Sequence, residues 1–162
     1  MIGTISTIMM LAAPILIIAT GGMICERSGV TNVGLDGLMS IGACTAAIVH
    51  QLMEAAGVGR ISLTVALLAA ALVSMLISVL HAIASVDLKS DQTISGTGIN
   101  LLATGITVFV CQRIYGTDRS TEFKMGMVKD GIGFYPTLYI AIVVVVLAWF
   151  ILYKIPFGMH LR

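Results

Sequence analysis

Apolar residues run in five long windows separated by short polar breaks. No Asp, Glu, Lys or Arg occurs in residues 1–25, 37–53, 61–86, 92–112 or 131–153. About 20 mostly apolar residues carry an α-helix across the bilayer core, and each window reaches or approaches that length. The pattern predicts an all-α polytopic membrane protein of about five transmembrane helices, some broken or kinked, in a single transmembrane domain over residues 1–162.

The first span covers Ile5 to Ile24, where Pro14 removes a backbone donor and is expected to kink the helix. The second runs from Leu35 to Met53. The third, Ile61 to Ser85, repeats small side chains every four residues at Ala66, Ala70, Ser74, Ser78 and Ala82. Such stripes let helix backbones approach closely in lipid, so this span is expected to pack against protein along its whole length. The fourth, Ile94 to Cys111, is the most polar. The fifth, Leu138 to Tyr153, carries nothing polar but its tyrosines and Trp149, and reads as lipid-facing. The one long connection, Arg113 to Pro136, is charged and reads as a solvated excursion.

Composition agrees with the pattern. The chain is 58% hydrophobic and 10% charged, with a mean hydropathy of +1.04, where a soluble domain carries roughly 25% charged residues. A net charge of +1 with no basic stripe gives no reason to expect nucleic acid. Positive residues are spread too evenly over the breaks for charge counting to fix the orientation. Cys25, Cys44 and Cys111 lie far apart in apolar windows, a spacing that suits buried thiols rather than a disulfide or metal site. His50, His81 and His160 are isolated and read as solvated or backbone-bonded groups, not metal ligands. No phosphate-loop, zinc-protease or nucleophile-elbow pattern occurs, so the chain does not read as a self-contained enzyme.

Two polar, glycine-rich segments remain. In "GVTNVGLDG", Gly29, Gly34 and Gly37 loosen the backbone beside Asn32 and Asp36. In "SDQTISGTGIN", Gln92, Ser95, Thr97 and Asn100 stand among Gly96 and Gly98. Interrupted helices with such residues build polar sites at depth in transporters. The plainer alternative is capping: Asn32 or Asp36 at the start of span two, serines and threonines at the start of span four. For Asp36 both roles stay open. Asn100, well inside a span, is expected to face protein or a cavity because an amide is costly against lipid.

At these residues the sequence resembles the permeases of ABC importers for simple sugars and purine nucleosides, relatives of ribose and branched-chain amino-acid permeases. "ERSGVTNVGLDGLMSIGA" matches the group's pattern at Glu26, Arg27, Ser28, Gly29, Val30, Asn32, Val33, Gly34, Leu35, Asp36, Gly37, Met39, Gly42 and Ala43. "DQTISGTGINLLATG" matches a second block at Gln92, Ile94, Ser95, Gly96, Asn100, Leu101, Ala103 and Gly105, with Asp91 where the group has Asn. "IPFGMHLR" is similar to the run that leads into the ATPase-coupling helix.

The resemblance implies a plasma-membrane permease moving a nucleoside or simple sugar inward. It also implies a second permease chain, a separate ABC ATPase that binds the ATP, and an extracytoplasmic substrate-binding protein. No cofactor is expected on this chain. It further implies that Arg162 is cytoplasmic and that Asn32, Asp36, Gln92, Ser95, Thr97 and Asn100 line or shape the pathway. Because such permeases continue beyond this arginine, the chain reads as an N-terminal portion, expected not to transport alone. The alternatives are a subunit of a secondary transporter or channel, which lacks the ionisable group at mid-span it would need, and a non-transporting scaffold.

Overall fold

A computed structural model describes residues 2–59, 61–117, 135–156 and 158. Most of the Arg113–Pro136 connection and most of the IPFGMHLR end lie outside these residues. Five helices long and apolar enough to cross a membrane are present among them: α1 (Ile2–Arg27), α2 (Leu35–Ala55), α3 (Ile61–Ala82), α4 (Gln92–Tyr115) and α5 (Pro136–Lys154). The all-α, five-span expectation holds. The chain forms two compact units, Met1–Thr31 with Gly126–Arg162, and Asn32–Met125.

In the first unit α1 packs against α5. Helix α1 runs unbroken through Pro14. Its buried residues Ser6, Ala13 and Thr20 recur every seven positions, and α5 answers with Ala141, Ala148 and Leu152. Seven residues is nearly two whole turns, so each set stays on one face, and small side chains let the backbones close up. The Thr20 hydroxyl donates to the Leu16 carbonyl at 2.7 Å, which satisfies it within its own helix. The reading of α5 as lipid-facing is narrowed: Ala141, Ala148 and Leu152 are buried on one face, and its other residues are exposed or half-buried. At the shared ends Arg27 donates to the Tyr153 hydroxyl at 2.5 Å, its guanidinium 4.8 Å from that ring. The two helices therefore run parallel.

The second unit places α2 between α3 and α4. Ser74 on α3 donates to the Leu38 carbonyl at 3.2 Å, and His50 bonds Ser62 at 3.1 Å, so α2 and α3 are antiparallel. Contacts of Gly37 with Asn100 and of Cys44 with Cys111 make α2 and α4 parallel. A Cβ on Gly42 would stand 2.8 Å from Ser74 Oγ, which marks the close α2–α3 approach. Of the small stripe, Ala66 and Ala70 are buried, Ser74 and Ser78 half-buried, and Ala82 exposed. A four-residue step overshoots one turn by about 40°, so the stripe swings off the packed face. His81 and Ser85 are buried at that end instead.

Helix ends follow local chemistry. Gly29 (φ 83°) and Gly57 (φ 76°) stop α1 and α2 in the left-handed conformation. Paired bonds accompany each: Val30 to Cys25 and Gly29 to Glu26, then Val58 to Met53 and Gly57 to Glu54. Helix α3 runs into a π turn, Ile83–Asp87, where the Ser85 hydroxyl donates to the His81 carbonyl at 2.6 Å. Helix α4 is capped by Asp91, whose carboxylate accepts from the N–H groups of Thr93 (2.8 Å) and Ile94 (3.1 Å). Under the plainer alternative, in which serines and threonines cap this span, the cap is Asp91 instead. Asparagine, the residue of the resembled pattern at this position, caps nearly as well as aspartate. Asp91→Ala should cost about 1 kcal/mol of stability in a detergent melt, whereas Asp91→Asn should leave the midpoint within error.

Candidate functional site

The two glycine-rich segments meet at one end of the α2–α3–α4 unit. Helix α2 starts after Gly34, which offers no side-chain cap. Its first-turn N–H at Gly37 would be orphaned, but Asn100 reaches across from α4 and accepts it at 2.7 Å. The same amide donates to the Val33 carbonyl at 3.0 Å. Asn100 thus caps α2 from another helix, about 12 Å along α4 from its start. Asn32 accepts from the Gly34 N–H at 3.0 Å, fixing the turn just ahead of α2. It is not the N-cap, and neither is Asp36.

Glycine is required for this crossing. A Cβ on Gly37 would stand 2.8 Å from Asn100 Oδ1 and 2.9 Å from Asn100 Cα. One on Gly96 would stand 2.8 Å from the Gly34 nitrogen and 3.1 Å from the Val33 carbonyl carbon. The α4 backbone therefore lies directly on the irregular start of α2.

The structure brings Asn32 and Asn100 together as half-buried groups committed to backbone partners. Ser95, also half-buried, bonds His81 Nδ1 at 3.0 Å. Gln92 is half-buried at the first position of α4. Thr97 is exposed, its hydroxyl donating to the Thr93 carbonyl at 2.8 Å. Asp36 is exposed in the first turn of α2, where the helix dipole favours a negative charge. Thr93, Ile94, Thr97, Gly98 and Leu101 line an open depression of about 340 Å³ on α4.

His50 and His81 depart from expectation, and His160 lies outside the described residues. His81 is only 3% exposed and bonded to a side chain, and His50 is buried between Ser62 (3.1 Å) and Glu54 (3.3 Å). Ser62 is wholly buried and also donates to the Gly59 carbonyl at 2.7 Å, so the Ser–His–Glu series clamps the α2–α3 turn and offers no accessible nucleophile. His81 was missed as a partner of the polar segment; its one sequence signal is an imidazole inside an otherwise apolar span. Expected as buried thiols, all three cysteines are half-buried.

The family model for the branched-chain amino acid transport system / permease component matches residues 4–162. The chain belongs to that family. It is a multi-span membrane protein, and the secondary-transporter, channel and scaffold alternatives are not favoured. The chain is 40% identical to the guanosine ABC transporter permease protein NupQ of Bacillus subtilis, over 93% of its own length and 52% of the relative's. It is 33% identical to the nucleoside ABC transporter permease protein NupC of Lactococcus lactis, over 98% and 54%. A putative glucose ABC transporter permease, TsgC13 of Haloferax volcanii, is 30% identical over 98% and 50%. The chain thus spans about half the length of the curated relatives it matches. No solved structure matches it.

Proposed function

We propose that this chain is part of the membrane-spanning permease of an ABC importer that carries a nucleoside inward. A separate ATPase subunit would bind and hydrolyse the ATP, a second permease chain would complete the channel, and an extracytoplasmic binding protein would deliver substrate. The chain itself would need no cofactor and perform no covalent chemistry. The observation that carries this reading is identity over nearly the whole chain with two nucleoside permeases. A simple sugar is the second reading, favoured by the weaker match to a putative glucose permease.

Within that function the six candidate residues divide into two groups. Asn32, Ser95 and Asn100 are half-buried and shape the pathway by fixing backbone and imidazole. Asp36 and Thr97, both exposed, are the candidates for contact with substrate, and half-buried Gln92 stands beside them at the first position of α4. A carboxylate accepts strong hydrogen bonds, which suits ribose hydroxyls. Transport would proceed by alternating access, with ATP hydrolysis biasing two states of the permease pair that differ in substrate affinity.

In cells deleted for the gene, nucleoside uptake should fall and return when the intact gene is restored. Asp36→Asn, in a normally inserted protein, should raise KM for uptake several-fold with less effect on the maximal rate. An unchanged KM would remove Asp36 from the pathway.

A further inference from the structure

Cys44 on α2 and Cys111 on α4 are 67 residues apart in the chain, yet their Sγ atoms stand 3.9 Å from each other. Both are free thiols and half-buried. The pairing follows from the seam that the candidate site creates. Cys44 lies seven residues after Gly37, nearly two turns along α2. Cys111 lies eleven residues after Asn100, three turns along α4 to within about 20°. Gly37 and Asn100 are bonded to each other, and the two helices run parallel from that point. The thiols therefore occupy the same α2–α4 seam, one step further along it. Nothing in the transport reading uses them.

We propose that Cys44 and Cys111 are a redox pair that closes into a disulfide between α2 and α4. The sulfurs, 3.9 Å apart in the thiol form, must approach to about 2.05 Å. The oxidant is a small-molecule disulfide. One cysteine thiolate attacks a sulfur of the reagent and expels one thiol. The second cysteine then attacks the protein-side sulfur of the mixed disulfide and expels the other. The two cysteines together lose two electrons and two protons, and both are recovered in the two thiols released. The bond would tie α2 to α4 and block any step in which they part. That consequence rests on the proposed function; the bond itself does not.

The test uses the full protein in its membranes, treated with dithiodipyridine, a membrane-permeant disulfide, and read by peptide mass spectrometry. The expected product is a linked Cys44–Cys111 peptide without a thiopyridyl adduct on either residue, reversed by dithiothreitol. In Cys44→Ser the adduct should remain on Cys111, and in Cys111→Ser on Cys44. Stable adducts on both residues of the wild-type protein, two unmodified thiols, or pairing of either with Cys25 would each overturn the proposal. Because the readout is covalent, its failure is distinguishable from failure of nucleoside uptake.

Discussion

Gly96→Ala is expected to destabilise the α2–α3–α4 unit strongly, while Gly98→Ala, two residues along the same helix, leaves its stability unchanged or slightly raised. Both changes give α4 a better helix former, a gain of up to about 1 kcal/mol. They differ in what the new methyl group meets. At Gly98 there is nothing within 4 Å, so the propensity gain stands alone. At Gly96 the methyl would lie 2.8 Å from the Gly34 nitrogen, 2.9 Å from Val33 Cβ and 3.1 Å from the Val33 carbonyl carbon. Two of those three atoms are backbone and no rotamer change moves them. Overpacking of this kind costs typically 1–3 kcal/mol and sometimes more. Here the displaced backbone is also the turn that Asn100 holds, so the cost lies at the upper end of that range and about 2 kcal/mol remains as the expected net loss after the propensity gain. Thermal unfolding in mild detergent checks it: a large drop for Gly96→Ala, and an unchanged or slightly raised midpoint for Gly98→Ala.

Asn100→Leu carries the second large effect. Leucine removes the acceptor for the Gly37 N–H and the donor for the Val33 carbonyl in one change. An unsatisfied buried polar group costs about 1–3 kcal/mol, and lipid supplies no replacement partner. The start of α2 should fray, and uptake should fall with it. Asn100→Asp is the informative companion: it keeps an acceptor for Gly37 but turns a second oxygen toward the Val33 carbonyl. Its stability and uptake should lie between those of wild type and Asn100→Leu. If Asn100→Leu melted like wild type, the amide would not be holding the two helices together.

The spans were legible because charge is excluded from them so completely; what stops and starts each helix was not. Gly29 and Gly57 stop α1 and α2 within their own helices and Asp91 starts α4 through the N–H groups of Thr93 and Ile94, but glycines and polar residues are too frequent around the breaks for these to stand out from their neighbours. The polar segments were legible as unusual, but the work of each residue was not. Asn100 was expected to face protein or a cavity, and it faces protein; its particular partners were not legible, because nothing in its neighbourhood tells that α2 runs parallel to α4 and presents an uncapped N–H to it. His81 and Ser95 meet for the same kind of reason: α3 turns back on α4 and brings their side chains together. The α1–α5 pairing was obscured by period. Ser6, Ala13 and Thr20 recur at seven, which holds one helix face better than the four-residue stripe of α3, yet alanine and serine among so many apolar residues give little contrast.

This arrangement links sequence to function through one crossing. Two glycines allow α4 to lie on the start of α2, and one amide replaces the missing cap. An exposed carboxylate and an exposed threonine then remain on the unit as candidates for contact with substrate. The crossing is a folding device first, and the polar surface beside it is what the proposed transport would use.

The central functional claim is that the substrate is a nucleoside. The direct measurement is uptake of radiolabelled guanosine by cells carrying the intact gene, compared with the deletion strain and challenged with an excess of unlabelled competitors. Gene-dependent uptake suppressed by nucleosides, and not by glucose, ribose or leucine, is the predicted result. Gene-dependent uptake of a sugar or a branched-chain amino acid, with guanosine entering equally in both strains, would contradict it.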